Sequence, residues 1–157
     1  MKEIERKFLV NRALFHSAGN RTIMKQGYLS VDPERIVRVR RKAGKAWITI
    51  KGKVKSITRP EFEYLIPVED ADELLKLAIH SPIEKIRHRL EIEGTHWEVD
   101  EFQGENSGLL LAEVELEHEN QLFSRPLWLG EEVTYDRRYY NSELSQKPYS
   151  TWPVKES

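Results

Sequence analysis

The chain contains no cysteine among its 157 residues. Disulfide bridges, thiol nucleophiles and thiolate metal sites are therefore excluded, and any metal ion would have nitrogen or oxygen ligands, which favours hard cations. Charge of one sign is not in excess either, because 25 basic and 26 acidic side chains give a formal net charge of −1. Such a surface has no general attraction for nucleic acid or acidic membranes, so an anion site would have to be local.

Long apolar runs are missing as well. The longest, at residues 109–112, is far shorter than a membrane span, and the first seven residues are mostly charged, unlike a signal peptide. These absences predict a cytoplasmic protein with no membrane partner. The chain length, with 32% charged residues and four tryptophans, predicts one globular domain over residues 1–157.

Familiar catalytic motifs are also absent. The five histidines form no His-Glu-x-x-His pattern, there is no Gly-x-Ser-x-Gly, and Gly104 and Gly108 precede no Lys-Ser or Lys-Thr pair. A zincin site, a covalent acyl-transfer mechanism and a phosphate-binding P-loop are therefore not predicted.

The sequence is instead dominated by period-two alternation of apolar and polar residues, which predicts β-strands. Arg41-Lys42-Ala43-Gly44 and Glu93-Gly94-Thr95 lie between such segments and predict tight hairpin turns, hence antiparallel pairing. About eight such strands can close into a barrel or form two packed sheets, and alternation does not distinguish these arrangements. The predicted strands cover residues 2–10, 23–31, 35–41, 45–52, 60–68, 84–93, 95–102 and 109–118.

Two further segments predict helices. Asp70 and Glu73 form a capping-box pattern ahead of an apolar run that ends at Ser81-Pro82. A second helical stretch is predicted from Thr134, as its cap, towards Pro148. The residues after Pro148 are predicted to be loosely attached.

In each predicted strand the charged residues alternate with apolar residues, and they often occur as like charges two residues apart. Because alternate residues of a strand share a face, each pair lies opposite apolar neighbours. One interpretation is the solvated face of an ordinary antiparallel sheet. The other is the lumen of a closed barrel whose apolar exterior is covered by helices, with a bound counter-charge offsetting the like-charge repulsion. The pairs are Glu3 and Glu5, Arg38 and Arg40, Glu61 and Glu63, Lys85 and Arg87, Glu98 and Asp100, and Glu113 and Glu115.

The segment Glu3-Ile4-Glu5-Arg6-Lys7 resembles the Glu-x-Glu-x-Lys signature of the CYTH superfamily, the triphosphate tunnel metalloenzymes. The resemblance covers essentially the whole chain. It implies a mainly β (α+β) fold, an eight-stranded antiparallel β-barrel whose charged tunnel binds triphosphate with Mg²⁺ or Mn²⁺. The other matching segments, in the family's order, are Gln26-Gly27-Tyr28-Leu29, Arg38-x-Arg40, Ile50-Lys51-Gly52, Arg59-x-Glu61-x-Glu63, Lys85-x-Arg87, Asp100, Glu113-x-Glu115 and Gly130-Glu131-Glu132-Val133-Thr134.

The resemblance also implies roles for individual residues. Glu61, Glu63 and Asp100 are candidates either to hold a second metal ion or to orient the attacking water, and Tyr28 is expected near the substrate. Lys147 is an alternative to Arg138 as the basic residue that the family contributes near the C-terminus. The implied metal ligands are Glu3, Glu5, Glu113 and Glu115, and the implied phosphate-binding residues are Lys7, Arg38, Arg40, Lys51, Lys85 and Arg87, with looser matches at Arg59 and Arg138.

The implied function is metal-dependent hydrolysis of a triphosphate, above all of inorganic tripolyphosphate to pyrophosphate and phosphate, because no added segment for a nucleoside is found. The alternatives are a class IV adenylyl cyclase, a thiamine triphosphatase and a non-catalytic polyphosphate- or nucleotide-binding module. Cyclases of this fold tend to carry a His-Phe start, whereas Met1-Lys2 leads directly into Glu3 here. A binding module would need the basic residues alone and not the carboxylates. The expected partner is a small-molecule triphosphate, and the expected state is a monomer or homodimer.

Overall fold

The alternating segments form nine β-strands in the computed structural model, which describes residues 1–17 and 19–153. The strands are β1 (Lys2–Val10), β2 (Asn20–Ser30), β3 (Arg35–Lys42), β4 (Lys45–Gly52), β5 (Thr58–Ile66), β6 (Ile83–Ile92), β7 (Thr95–Phe102), β8 (Leu110–Glu115) and β9 (Leu129–Glu132). They belong to one antiparallel sheet in the order β5-β4-β3-β2-β6-β7-β8-β1-β9. The eight predicted strands are confirmed, with shifts of a few residues at their ends, whereas β9 was not predicted because four residues are too few to show alternation.

Strand β1 closes this sheet into a barrel. One of its edges pairs with β8, while the other pairs with β5 over its first half and with β9 over its second half. The β1–β5 pairing joins the two ends of the eight-stranded order, so the barrel, and not a pair of packed sheets, is the observed arrangement. Closure places one face of each strand from β1 to β8 in the lumen.

Both predicted hairpin turns are confirmed. In the first, Ala43 and Gly44 have φ values of 52° and 76°, and in the second, Glu93 and Gly94 have φ values of 49° and 77°. Two successive residues with positive φ are typical of the type I′ turn, whose twist matches that of the flanking strands. Glycine at the second position accepts this conformation without steric cost.

The first predicted helix is present, but its predicted ends are wrong. Helix α1 spans Val68–Lys76 and begins directly after Pro67, whose φ of −59° suits a helix start, without a side-chain cap. Asp70 therefore lies inside the first turn, where a negative charge favours the helix dipole, and does not cap it. Because Val68 begins the helix, β5 ends at Ile66 and not at residue 68.

The predicted helix over residues 134–148 is wrong as a single element. A 3₁₀ turn at Arg137–Tyr139 is separated by one extended residue from helix α2, which spans only Asn141–Gln146. Thr134 does not cap a helix, because its hydroxyl accepts a hydrogen bond of 3.0 Å from the backbone N–H of Lys7. Neither helix in the described residues is long and apolar enough to cross a bilayer.

The loose attachment predicted after Pro148 is also wrong for residues 149–153. Tyr149–Thr151 form a 3₁₀ turn, and the Trp152 ring packs edge-on against Tyr139 with the centroids 5.1 Å apart. Aromatic contacts therefore hold this segment against the barrel. Residues 154–157 lie outside the described part of the chain.

The apolar exterior of the barrel is covered only partly by helices. Helix α1 buries Ala71 and Leu75 against the outer face of β3 and β4. Over β1, β7 and β8 the cover comes instead from connecting loops, whose aromatic residues include Phe15, Phe123 and Trp128. The expectation of covering helices is thus confirmed at one side of the barrel, and aromatic loops replace them at another.

Candidate functional site

The charged faces of the strands meet inside the barrel. Across the β1–β8 ladder, Glu5 lies opposite Glu115 and Lys7 opposite Glu113. These side chains and those of the other strands on the same parity line a cavity of about 250 Å³. The solvated-face interpretation is therefore wrong for these residues, because alternation directs them into an enclosed lumen.

Five cationic side chains of the lumen are buried, which is rare unless a cation is paired. Burial, together with the charges of Arg38 and Arg87, lowers the pKa of Arg40 to about 9. Burial also lowers the pKa of Lys85 to about 7, although Asp100 opposes this shift. The cost of burying so much like charge indicates a site preformed for a polyanion. The five are Lys7, Arg38, Arg40, Lys85 and Arg87.

Two of these cations share one carboxylate. The Asp100 carboxylate accepts hydrogen bonds from Arg87 Nε and Nη2 at 2.8 and 2.9 Å, and the Lys85 Nζ lies 2.7 Å from Asp100 Oδ2. Burial alone would raise the pKa of Asp100, but Arg87 and Lys85 outweigh it and lower this pKa. Asp100 lies behind the cavity wall and does not line the cavity. The structure thus shows Asp100 as the partner of two cations behind the cavity wall, and its predicted part in binding metal or water stays a prediction.

A second cluster joins β1, β4 and β5. Lys51 Nζ lies 3.0 Å from both carboxylate oxygens of Glu3 and 3.2 Å from Glu61 Oε2. Burial opposes ionisation of Glu3, but Lys51, a hydrogen bond with Glu61 and the charge of Arg38 together lower its pKa. Burial and the hydrogen bond and charge of Glu3 raise the pKa of Glu61 to about 7. The two carboxylates of this pair are therefore shifted in opposite directions, with Glu3 the more acidic of the two.

Arg38 belongs to a third cluster. Its Nη2 donates to Thr49 Oγ1 at 3.2 Å, Thr49 Oγ1 donates to Glu63 Oε2 at 2.9 Å, and the Arg38–Glu63 ion pair measures 3.7 Å. In the described residues, the buried Arg38 Nε has no hydrogen-bond partner. Tyr28, which is 4% exposed, lines the same cavity. The Arg38 guanidinium thus keeps one buried N–H without a hydrogen-bond partner in the described residues, at a side chain that lines the cavity.

The carboxylates of β1 and β8 form the acidic part of the cavity. Burial and the charges of Glu113 and Glu3 raise the pKa of Glu5 well above its ordinary value. In contrast, Lys7 and Arg87 overcome burial and lower the pKa of Glu113 to about 2. The Glu5 carboxylate makes no hydrogen bond or salt bridge within residues 1–17 and 19–153. Burial and the charges of Glu98 and Glu3 raise the pKa of Glu115 too.

This donor set fits a hard divalent cation by its chemistry. The oxygens are all carboxylate oxygens, which such cations prefer, and their mutual repulsion at Glu5 is what a bound cation would relieve. Over the described ranges, however, no three histidine, aspartate or glutamate side chains form a ready-made ligand cluster. Two of the four implied ligands, Glu3 and Glu113, are instead paired with Lys51 and Lys7.

Most residues predicted for the site line this one cavity. The exceptions are Asp100, described above, and Arg138, together with its alternative Lys147. Arg138 is in the 3₁₀ turn, pairs with Asp136 at 2.6 Å and stacks on Trp152 at 5.2 Å outside the cavity. The turn thus directs the Arg138 side chain outwards, and its looser assignment to phosphate binding stays a prediction. The predicted residues in the cavity are Glu3, Glu5, Lys7, Tyr28, Arg38, Arg40, Lys51, Arg59, Glu61, Glu63, Lys85, Arg87, Glu113 and Glu115.

Several cavity residues were missed by the sequence analysis. Glu98 pairs with Arg87 at 3.2 Å and with Arg89 at 3.4 Å. The sequence analysis placed Glu98 on the charged face with Asp100 but gave it no role, and the shared face of Arg89 and Arg87 was the signal that could have found Arg89. Asn141 and its neighbours line the cavity from the C-terminal segment, which is irregular and shows no periodicity that points inwards.

Comparisons with known proteins agree with this fold. The CYTH domain profile matches residues 1–149. The chain is 46% identical over 152 residues to an inorganic triphosphatase of Acetivibrio thermocellus, covering 96% of this chain and 97% of that protein. It is 37% identical over 150 residues to an inorganic triphosphatase of Nitrosomonas europaea, covering 92% and 97%. A crystal structure of an inorganic triphosphatase superposes with a TM-score of 0.67 at 36% identity, covering 91% and 97%. The chain therefore belongs to the CYTH family.

Proposed function

We propose that this protein is a metal-dependent triphosphatase that hydrolyses inorganic tripolyphosphate to pyrophosphate and phosphate inside the barrel. The observation that carries the proposal is the cavity itself, in which five buried cations and a row of carboxylates line one enclosed space. A linear polyanion complements such a wall, and its charges would offset the cost of burying the cations. The relatives named inorganic triphosphatase match almost the full chain and support the same activity.

The cations bind and orient the phosphate chain in this proposal. Arg38 and Arg40 offer forked N–H donors, and Lys7 and Lys85 act as point charges. Asp100 holds Lys85 and Arg87 in place by ion pairs of 2.7 and 2.8 Å, so that their positions are set before the substrate arrives. Preorganised donors of this kind stabilise the negative charge that develops on the leaving pyrophosphate.

The carboxylates complete the site. Glu3, Glu5, Glu113 and Glu115 would hold a divalent cation, Mg²⁺ or Mn²⁺, which when bound offsets the repulsion between these carboxylates and the phosphates. Within the described residues the Glu5 carboxylate has no hydrogen-bond or salt-bridge partner, although the charges of Lys51 and Lys7 act on it, so both its oxygens can serve as ligands.

Glu61 is the residue proposed to orient the attacking water. It lines the cavity, its side chain is 28% exposed, and Lys51 holds its carboxylate at 3.2 Å. As water attacks the terminal phosphorus, the bond from that phosphorus to the bridging oxygen of pyrophosphate breaks, and Glu61 accepts the proton of the water. Glu63 is engaged by Thr49 and Arg38 and serves to position them.

Phosphate release provides the first test. We expect release from tripolyphosphate with Mg²⁺ or Mn²⁺ that exceeds release from ATP or thiamine triphosphate by about tenfold or more, and that stops with chelator. A parallel assay measures cyclic AMP from ATP. Formation of cyclic AMP, or tight tripolyphosphate binding without turnover under either metal, would contradict the proposal and favour a cyclase or a binding module.

The affinity of the metal-free protein for tripolyphosphate is expected to fall as the pH rises through about 7. Burial lowers the pKa of Lys85 to about 7, so its ammonium is present below that pH and lost above it. Because a polyanion favours the charged form, binding above pH 7 takes up a proton and weakens by up to about tenfold per pH unit.

Calorimetry in chelator, in buffers of different ionisation enthalpy, measures both the affinity and the proton uptake. Tripolyphosphate titrates as well, so the Lys85→Met variant serves as the reference for protonation of the ligand. Equal proton uptake by the wild type and this variant would show that Lys85 is not the linked group.

We further propose that residues 1–157 form one domain. All nine strands of the described residues belong to one sheet, which supports this division. Limited proteolysis is expected to leave one resistant core, and two separable resistant fragments would contradict it. Location in the cytoplasm stays a prediction from the sequence.

A further inference from the structure

Asn141, the first residue of α2, lies at the cavity wall between two of its cations. Its Oδ1 accepts a hydrogen bond from Lys85 Nζ at 2.8 Å and another from Gln26 Nε2 at 2.9 Å. Gln26, which is fully buried, in turn accepts a hydrogen bond of 2.9 Å from Arg40 Nε at its Oε1. A neutral residue from the C-terminal segment thus connects two cations that belong to different strands, β6 and β3.

The orientation of both amide groups in this network follows from chemistry. The ammonium form of lysine and the arginine Nε are donors only, so with Lys85 charged both must face the oxygen of the amide that they contact. Lys85 therefore determines that Oδ1 of Asn141 faces it, and Arg40 determines the same for Oε1 of Gln26. The remaining contact can then only be donated by Gln26 Nε2 to Asn141. No alternative amide flip satisfies all three hydrogen bonds.

This leaves the amino group of Asn141 unused. Both lone pairs of Oδ1 are engaged, while Nδ2 has no hydrogen-bond partner within the described ranges. An amide N–H can be satisfied only by an acceptor, and the neighbouring groups Lys85 Nζ and Gln26 Nε2 are both donors. Phosphate oxygens are acceptors only, and they are the groups that the proposed substrate brings into this cavity.

The neutral amide is suited to this position. A lysine or arginine here could not accept from Lys85 and Gln26, and an aspartate would accept from both but would repel a phosphate chain. Asparagine combines two acceptor contacts to the protein with two N–H donors for an anion. Because Gln26 and Lys85 are only 0% and 1% exposed, water has little room to replace the Asn141 oxygen as their acceptor.

We propose that Asn141 is a phosphate-binding residue of the tunnel, whose Nδ2–H groups donate to oxygens of the triphosphate chain while its Oδ1 positions Lys85 and, through Gln26, Arg40. This inference rests on the proposed function, since it assigns a further contact to the same substrate. It also gives the C-terminal segment a part in substrate recognition, in addition to packing against the barrel.

Asn141→Asp is the decisive variant, because a carboxylate keeps both acceptor contacts, loses the N–H donors and adds a negative charge. We expect its affinity for tripolyphosphate in chelator to fall by about tenfold to a hundredfold, as for the loss of a hydrogen bond to a charged group. With metal, KM is expected to rise by a similar factor and kcat to change by less than about threefold, because the contact exists in the ground and transition states alike. The melting temperature should not fall.

Asn141→Ala removes both roles and is expected to weaken binding as well, with some loss of stability from unsatisfied Gln26 and Lys85 donors. Asn120→Asp makes the same chemical change at an exposed position and is expected to match the wild type.

In the wild type, the side-chain amide resonances of Asn141 are expected to shift when tripolyphosphate is added, a measurement that requires no variant to fold.

A purely structural Asn141 predicts a different pattern. In that case Asn141→Asp, with its acceptors retained, would bind tripolyphosphate within about twofold of the wild type, and the amide resonances would not respond to the ligand. Either result overturns the inference. A wild-type protein that neither binds nor hydrolyses tripolyphosphate overturns the proposed function instead, so the two failures are distinguishable.

Discussion

Replacement of Glu5 by glutamine is expected to abolish turnover of tripolyphosphate and to leave the metal-free protein at least as stable as the wild type. Burial and the charges of Glu113 and Glu3 raise the pKa of Glu5, which shows that its negative charge is unfavourable in the empty cavity. Glutamine keeps the shape and removes that charge. Turnover should fall by about a thousandfold or more, because a carboxylate proposed to hold the catalytic cation is lost.

The stability gain from this substitution has a defined pH dependence. A carboxyl group whose pKa is raised on folding binds more protons in the folded than in the unfolded state above its ordinary pKa of 4.5. The wild type therefore loses stability as the pH rises above that value, and Glu5→Gln does not share this loss. Its advantage should grow with pH, as measured by thermal unfolding in chelator.

Glu117→Gln is the matched control for Glu5→Gln, because Glu117 is exposed and lies beyond the end of β8. It is expected to change neither turnover nor stability appreciably. If Glu5→Gln keeps turnover within about tenfold of the wild type, or if it unfolds more easily in chelator, the assignment of Glu5 is wrong.

Replacement of Asp100 by asparagine is expected to have the opposite effect on stability, with a loss of about 3–5 kcal/mol in the free energy of unfolding. Asp100 is 1% exposed and forms ion pairs with both Lys85 and Arg87. Asparagine fills the same space but leaves two buried cations without their shared counter-charge. The loss should be measured by urea unfolding near neutral pH, where the native carboxylate is fully ionised.

The contributions of Asp100 and Glu5 to folding stability are expected to depend on pH with opposite signs. Arg87 and Lys85 outweigh burial and lower the pKa of Asp100 below its ordinary value of 3.8, so its stabilising effect is present above that value and lost as the pH falls. The difference in stability between the wild type and Asp100→Asn should therefore shrink in acid.

Asp70→Asn is the control variant. Asp70 is exposed in the first turn of α1, and its replacement should cost less than about 1 kcal/mol in the free energy of unfolding. A comparable small loss for Asp100→Asn would exclude a stabilising role.

Glu5 and Asp100 each lie on the charged face of their strand, and the sequence pattern does not distinguish them. Glu5 faces Glu115 across its ladder, whereas Asp100 faces Arg87 across another. The register of the strands thus decides whether a charge is repelled or paired. Alternation predicts the face that a residue occupies, and it does not predict the partner that it meets there.

The residues of the C-terminal segment show the other limit of prediction. Arg138 was a looser candidate for phosphate binding, with Lys147 as its alternative, and the 3₁₀ turn directs the Arg138 side chain to Asp136 outside the cavity. Asn141 was not considered, and it contacts Lys85 inside. Irregular segments have no period from which the direction of a side chain can be inferred, so only their packing against the barrel decides it.

Local sequence was enough to predict eight of the nine strands of the described residues, the two hairpin turns and the strand face that collects the charges, since these depend on local alternation and on glycine at positive φ. The Glu-x-Glu-x-Lys segment at residues 3–7, together with the ordered charged pairs that follow it along the chain, also indicated the family. Tertiary structure alone decided the closure through β1 and β5 and the pairing of each lumen charge. It also decided which polar residues of the C-terminal segment reach the cavity. These features depend on contacts between residues far apart in the chain, and no local pattern encodes the free energy of such contacts.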